Sequence, residues 1–143
     1  MKLAQIQMHV TADKAVNLRH AEDLLRSVRG ADMVILPEMF CCPYDNACFR
    51  AYSEPEGGPA YQMLSRTARE LNLWLVGGSL PELDGDKIYN TAYVFDPTGT
   101  CVARHRKMHL FDIDVQGGQS FRESATLSPG SDITLFDTPY GRM

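Results

Sequence analysis

The feature that most constrains the fold is a strand–helix–strand pattern at the amino terminus. Residues 2–10 alternate apolar and polar side chains, as strands do, and Asp13 then offers an N-cap for a helix. Apolar residues recur at helical spacing over 15–28, and Gly30 is typical of the position beyond a helix end. The apolar run 33–36 then predicts a buried strand. A βαβ unit implies parallel pairing with a right-handed crossover, so the predicted class is α/β.

Glu38 comes directly after this buried strand, in Leu36-Pro37-Glu38. In open α/β sheets the ligand crevice lies outside the carboxyl ends of the strands. We therefore expect Glu38 to be a catalytic carboxylate. The stretch that follows, 41–59, is rich in proline and glycine and is predicted to be an irregular loop. Long loops after strand ends often carry binding residues.

The rest of the chain predicts one more helix and three further strands of a mixed sheet. Pro59 suits the first turn of a helix whose apolar face runs to Leu71. Strands are predicted over 73–76, 89–95 and 100–106, with a strand-like stretch at 133–136. Asp96-Pro97-Thr98-Gly99 carries the residues of a type I turn and makes the last two long strands a hairpin.

Composition excludes several classes of partner. Residues 1–143 have the length of one domain, and the net charge of -4 gives no general attraction to nucleic acid or to an acidic membrane. No apolar run is long enough to span a bilayer, and the first residues lack the apolar core of a signal peptide. A cytoplasmic protein with its four cysteines reduced is predicted.

Two further charged residues are candidates for chemistry. Lys107 lies in the basic stretch 104–107, at the end of the second hairpin strand and before apolar residues. It is either part of a solvated edge strand or a fixed cation for a developing oxyanion. Glu123 lies in Ser120-Phe121-Arg122-Glu123-Ser124 and by position alone is an exposed charge or a helix cap.

Metal and thiol chemistry have weaker support. Asp112 and Asp114 have no nearby histidine or third ligand, so no metal site is predicted. Cys41, Cys42 and Cys48 lack a second cysteine pair at zinc-finger spacing, and their roles stay open. A minor alternative makes Cys42 a nucleophile with Glu38 as its base. Cys101 has the pattern of a core residue.

Several motifs occur together in a fixed order. They are Leu36-Pro37-Glu38, the run 77–82, Tyr89-Asn90-Thr91, the run 106–111 and Phe121-Arg122-Glu123-Ser124. This combination resembles the nitrilase superfamily of carbon–nitrogen hydrolases over essentially the whole chain. The run 107–114 and Pro43-Tyr44 resemble its omega-amidase branch in particular.

The resemblance implies an αββα four-layer sandwich, of which this chain forms the amino-terminal half. That half is expected to be a mixed, mostly parallel sheet with helices on one face. By the same resemblance Glu38 matches the general base and Lys107 the catalytic lysine. Glu123 matches a second glutamate that orients lysine and substrate, and Tyr44 falls in the substrate-pocket loop. No metal or organic cofactor is implied, and the complete protein is expected to be a homodimer or larger.

The nucleophilic cysteine of the family does not carry over. In the family it lies on a strand soon after an Asp-Thr-Pro-Tyr turn, which here is 137–140, and the sequence ends at Met143. We expect a chain truncated before its nucleophile and inactive alone. The complete protein would hydrolyse small linear amides, such as ω-amides of dicarboxylic acids, to acid and ammonia through a cysteine thioester. The alternative is a non-catalytic pseudoenzyme or a ligand- or partner-binding module.

Overall fold

One mixed six-stranded sheet organises the fold, and the structure, a computed structural model, describes residues 1–143. The strands of this sheet are β1 (Leu3–Gln5), β2 (Met33–Ile35), β3 (Trp74–Val76), β4 (Leu80–Asp84), β5 (Lys87–Phe95) and β6 (Cys101–Arg106). The helices are α1 (Lys14–Ser27), α2 (Asn46–Tyr52) and α3 (Pro59–Leu71). Two small hairpins are formed by β7 (Asp112–Asp114) with β8 (Ser120–Arg122) and by β9 (Asp137–Thr138) with β10 (Gly141–Arg142). A 3-10 helix spans Glu123–Ala125.

The sheet combines parallel and antiparallel pairing. Strands β1, β2 and β3 are parallel neighbours, which confirms the βαβ prediction. Strand β5 is antiparallel to β3, β4 and β6. Its pairings with β4 and β6 are antiparallel because short turns join β4 to β5 and β5 to β6. The sheet is therefore mixed, as predicted, but parallel pairing is confined to its first three strands. The expectation of a mostly parallel sheet is too strong for this half.

Helices α1 and α3 cover one face of the sheet. Their inward side chains, such as Leu25 of α1 and Leu64 of α3, are fully buried against Val34, Leu75 and Phe95 of the strands. Each of these side chains gains roughly 1.5–3 kcal/mol from burial. This core fixes the strands that lead into the candidate site, and it confirms that α1 and α3 lie on one face.

The start of α3 is held by a buried carboxylate. Pro59 takes the first position of the helix, where no N–H is needed. Glu54, only 4% exposed, accepts hydrogen bonds from the N–H groups of Ala60 (2.8 Å) and Tyr61 (3.2 Å). Its other oxygen lies 2.6 Å from Nζ of Lys14 in α1. One glutamate therefore caps α3 and connects it to α1.

Local structure differs from the sequence pattern in three places. The predicted loop 41–59 contains α2, which Asp45 caps by accepting the N–H of Ala47 (2.8 Å) and which buries Phe49 completely. Strand β4 was not predicted. The stretch 133–136 is not a strand, because only Phe136 of that stretch bonds to another segment through its main chain, at Met143.

The face without helices carries a smaller apolar cluster. Met33, Trp74 and Val94 are buried there, and Phe136 packs beside them with its ring 6.5 Å from that of Trp74. The carboxyl-terminal hairpin thus covers part of this face. The remaining part lines a cavity at the ends of β2 and β6. None of the three helices combines the length and apolar character needed to cross a lipid bilayer.

Candidate active site

Glu38 is placed by a tight connection between the loops after β2 and β3. The next residue, Met39, has a left-handed backbone conformation (φ 51°), which is unfavourable for residues other than glycine. Its N–H donates to Oγ of Ser79 (3.0 Å), and the N–H of Ser79 donates to the carbonyl of Pro37 (3.3 Å). These bonds between loops hold the Glu38 side chain at the carboxyl end of the sheet.

Lys107 is the centre of the site. It directly follows β6, and its N–H donates to the carbonyl of Asn90 on β5 (2.9 Å). Its Nζ lies 2.9 Å from Oε1 of Glu38, 3.0 Å from Oε2 of Glu123 and 3.4 Å from the hydroxyl of Tyr44. The structure therefore brings Glu38, Lys107, Glu123 and Tyr44 into one cluster. Of the two alternatives for Lys107, the contacts favour a fixed cation over a solvated residue on an edge strand.

Glu123 is completely buried, which contradicts the exposed position expected from its local sequence. It begins the 3-10 helix after β8 and exchanges two hydrogen bonds with the main chain of Phe111. The hydroxyl of Tyr44 donates to its Oε1 at 2.5 Å, and the ring of Tyr44 packs against Phe121 and Phe49. The second carboxylate is thus held rigidly behind Lys107.

The charges of the cluster support one another. Burial opposes the charged form of Lys107, but its hydrogen bonds with Glu38 and Glu123 outweigh burial and raise its pKa above the ordinary lysine value. Burial also raises the pKa of Glu123, and the hydrogen bonds from Phe111, Tyr44 and Lys107 more than reverse this, so its pKa lies below the ordinary value. At neutral pH the site therefore holds the Lys107 ammonium beside the ionised Glu123 carboxylate. Glu38, 50% exposed, faces open space.

Two adjoining cavities meet at Glu38 and Lys107. The larger, about 310 Å³, lies on the sheet face without helices and is lined by Ile35, Glu38, Val76, Gly78, Ser79, Asn90, Ala92, His105 and Lys107. The smaller, about 260 Å³, is bounded by Glu38, Tyr44, Lys107 and Phe111. A few polar groups converging in a mostly apolar pocket are typical of small-molecule sites.

Asn90 also belongs to the cluster. In the sequence it was noted only as part of the motif Tyr89-Asn90-Thr91 and was not predicted to be a site residue. Its Nδ2 donates to Oε1 of Glu38 (2.8 Å) and lies 3.5 Å from Oε1 of Glu123. The side chain is 3% exposed. A signal was present in the sequence, because Asn90 alternates along β5 with the apolar Ile88 and Ala92. A lone polar residue on an apolar strand face needs a partner.

The cysteines lie away from this cluster. Cys42 is 1% exposed in an apolar group with Met39 and Phe49, and burial raises its pKa to about 12. Burial raises the pKa of Cys41 to about 12 as well. None of the four cysteines lines either cavity at Glu38. The structure therefore offers no geometric support for Cys42 as a nucleophile paired with Glu38.

Asp112, one of the two aspartates considered as metal ligands, has another partner. Asp112 accepts hydrogen bonds from the N–H (3.1 Å) and the hydroxyl (2.5 Å) of Ser124. These bonds fasten the β7–β8 hairpin to the segment that carries Glu123. No group of three or more His, Cys, Asp or Glu side chains is arranged to hold a metal ion.

The fold and this cluster define a class of hydrolase. Residues 2–143 match the family model described as carbon-nitrogen hydrolase. The chain therefore belongs to the carbon–nitrogen hydrolase family, and its resemblance to the nitrilase superfamily is confirmed.

Particular relatives place it within that family. It is 50% identical over 141 residues to the omega-amidase NIT2 of Danio rerio, covering 97% of this chain and 51% of the relative. It is 46% identical over 144 residues to the omega-amidase NIT2 of Homo sapiens, covering 99% of this chain and 52% of the relative. These likenesses confirm an omega-amidase-like branch. The chain spans about half the length of the curated relatives that it matches.

Solved structures show the same fold. Nit3 of Saccharomyces cerevisiae, a member of branch 10 of the nitrilase superfamily, superposes with a TM-score of 0.79 at 38% identity, covering 93% of this chain and 49% of that one. The NitFhit protein of C. elegans gives a TM-score of 0.75 at 26% identity, covering 98% of this chain and 35% of that one. The predicted nitrilase-type fold is confirmed.

Proposed function

We propose that this chain supplies the base, the cation and part of the substrate pocket of an enzyme that hydrolyses the C–N bond of small linear amides. The observation that carries the proposal is the position of the Lys107 ammonium, 2.9 Å from Glu38 and 3.0 Å from Glu123. The proposed substrate class is the ω-amides of dicarboxylic acids, because relatives about half identical to this chain are omega-amidases.

The first step is attack by a cysteine thiol outside residues 1–143. An amide carbon is a poor electrophile, so the thiol needs a base that removes its proton. Glu38, half exposed at the cavity edge, takes this proton. The thiolate then forms a C–S bond to the amide carbon, and the Lys107 ammonium stabilises the oxyanion that develops.

The second step releases ammonia and then the acid. The C–N bond breaks as Glu38 returns its proton to the departing nitrogen, which leaves a thioester on the cysteine. Glu38 next removes a proton from a water molecule, and the water oxygen bonds to the carbonyl carbon. The C–S bond then breaks as Glu38 returns this proton to the departing sulfur. The products are the carboxylic acid and the regenerated thiol. One carboxylate therefore moves the proton in both halves of the cycle.

Lys107 acts as a fixed charge and not as a proton donor. Although burial lowers its pKa, hydrogen bonds with Glu38 and Glu123 outweigh burial and raise the pKa, which favours the charged form. Glu123 and Tyr44 hold it in place, and a rigid cation stabilises an oxyanion without reorganisation during the reaction. Tyr44 also borders the smaller cavity, where it forms a wall of the substrate pocket.

The remaining properties belong to the same proposal. Residues 1–143 form one unit of the hydrolase domain, and the complete protein is a homodimer or larger. It works in the cytoplasm without a metal or organic cofactor. The assembly and the lack of a cofactor follow the family resemblance, whereas the location follows the amino-acid sequence; none of them rests on a contact in this chain.

The test begins with the coding sequence beyond codon 143. An open frame that encodes an apolar strand and then a cysteine allows the complete protein to be expressed and assayed for ammonia release from ω-amides. Glu38→Gln is expected to lower kcat by about 1,000-fold, because a general base is lost. Glu56→Gln, a change at an exposed glutamate outside both cavities, is the matched control. Equal rates in the two variants would refute the assignment of Glu38.

A second candidate is a non-catalytic module that binds a small ligand in the same cavities. It is favoured by one observation, that no cysteine of the chain lines them. A stop codon directly after codon 143 would support it. Titration calorimetry of the 143-residue chain with an ω-amide then measures binding. Turnover by this chain alone, abolished in Glu38→Ala, would contradict both candidates and would return attention to Cys42.

A further inference from the structure

Asn90 connects the two groups to which the proposed function assigns the chemistry. Its main-chain carbonyl accepts the N–H of Lys107 at 2.9 Å, and its side-chain Nδ2 donates to Oε1 of Glu38 at 2.8 Å. It therefore holds the backbone of the cation and the head of the base at the same time. No other residue hydrogen-bonds to Lys107 through its main chain and to Glu38 through its side chain.

The two oxygens of Glu38 are consequently not equivalent. Oε1 accepts hydrogen bonds from both Nδ2 of Asn90 and Nζ of Lys107, whereas Oε2 has no hydrogen-bond partner within the chain. A carboxylate oxygen that already accepts hydrogen bonds has fewer free lone pairs and is a weaker acceptor for an incoming proton. Oε2 is therefore the oxygen left free to accept one.

We propose that Asn90 is a positioning residue that fixes the rotation of the Glu38 carboxylate, so that Oε2 alone is presented to the thiol and later to water. The proposal rests on the proposed function and deepens it. It goes beyond the base, lysine and second glutamate that the family resemblance implies, because it names the atom that moves the proton and the side chain that selects it.

The orientation of the Asn90 amide follows from its neighbours. Its Nδ2 end faces carboxylate oxygens of Glu38 and Glu123, at 2.8 and 3.5 Å. The reversed amide would set its oxygen against two acceptors, which repel it. An amide is also suited to this place because it donates hydrogen bonds without adding charge. A basic residue here would compete with Lys107 for both carboxylates.

The first test needs no enzymatic activity and uses the 143-residue chain in solution. Exchange of the Asn90 side-chain amide protons with water is measured by NMR, with the exposed Asn72 as an internal reference. We expect exchange at Asn90 at least tenfold slower than at Asn72, and a severalfold acceleration in Glu38→Ala. Thr91→Val is the matched control, because Thr91 lies next to Asn90 on β5 but donates to Glu82 on the other face. An unchanged Asn90 signal in Glu38→Ala would overturn the proposal.

The second test uses the complete protein in the ammonia assay. Asn90→Ala is expected to lower kcat by about tenfold or more with KM changed less than twofold, since orientation is lost but the pocket remains. Asn90→Asp has nearly the same shape yet replaces the donor with a charge, so its kcat should be lower still. A rise in KM with kcat unchanged would show that Asn90 contacts substrate and would overturn the positioning role. Because the exchange measurement is independent of turnover, its outcome stands even if the proposed reaction is wrong.

Discussion

Gly78 lies so close to Pro37 that a β-carbon on it would be 2.1 Å from the Pro37 carbonyl oxygen. This contact joins the loop after β3 to the segment that presents Glu38. Gly78 also has φ of +56°, a conformation that side chains rarely adopt. We predict that Gly78→Ala lowers the free energy of unfolding by about 3 kcal/mol, because backbone strain and a backbone clash combine. Urea denaturation measures this change.

Gly85 provides the comparison for this prediction. Its φ is +61°, almost that of Gly78, but a β-carbon there would meet nothing within 4 Å. Gly85→Ala should therefore cost only the backbone strain, about 1 kcal/mol. If the two alanine variants lost the same stability, close packing of Gly78 against Pro37 would not matter for the fold.

Lys107→Met tests the charge balance inside the site. Removing the ammonium leaves the fully buried Glu123 carboxylate without its cation, and uncompensated buried charges are costly. We expect a loss of about 3 kcal/mol in urea denaturation. The exposed Lys87→Met should change stability by less than about 0.5 kcal/mol. The double variant Lys107→Met/Glu123→Gln should recover part of the loss, and a purely additive double variant would argue against the pairing.

The buried Glu123 should make the free energy of unfolding depend on pH. Its pKa is lower in the folded chain than the ordinary value, so it stabilises the fold above the ordinary glutamate pKa. That contribution is lost as pH falls through the lower, folded-state pKa. Wild-type chain should therefore lose more unfolding free energy than Glu123→Gln on acidification from about pH 6 to pH 3. Chemical denaturation at a series of pH values gives both curves, which would run parallel if Glu123 were not held ionised.

The cysteines should differ in reactivity with an alkylating reagent. Burial raises the pKa of Cys41 and Cys42 to about 12, so little thiolate is present near pH 8, and both side chains are shielded from the reagent. Cys48 and Cys101 are only partly buried and should react first in the native chain. Mass spectrometry after a short iodoacetamide pulse identifies the labelled residue, and all four should react in urea. Preferential labelling of Cys42 would restore it as a candidate nucleophile.

Residues that depend on local pattern were predictable from the sequence. Hydrophobic periodicity located α1, α3 and the parallel strands, and the place of Glu38 at a strand end marked it before any resemblance was considered. Strand β4 was harder because it contains Pro81, which weakens a strand pattern. Pro81 is tolerated since β4 is an edge strand: its ladder is with β5 on one side, and its other side has only an isolated bridge to Glu54. The short helix α2 was hidden by the prolines and glycines around it.

The site itself was harder to predict from the sequence, because it is built from contacts between residues far apart in the chain. In their own sequence surroundings Lys107 could be either a solvated charge or a fixed cation, and Glu123 looks like a solvated charge. The family resemblance decided for Lys107 and alone marked Glu123. The contact between Asn90 and Glu38 joins residues 52 positions apart. No local pattern encodes such a distance, because it depends on how β2, β3 and β5 are arranged in the sheet. What the sequence did contain was an unexplained polar residue on an apolar strand face.

The proposed base and the cation each come after a strand, and these two strands are not neighbours in the sheet. Glu38 follows β2 and Lys107 follows β6, and β3 and β5 stand between them in the sheet. The carboxylate and the ammonium, 69 positions apart in sequence, meet in the folded chain across these intervening pairings. Contacts of such sequence separation form slowly during folding. We therefore expect the intact cluster to mark chains in which the sheet has formed from β2 to β6.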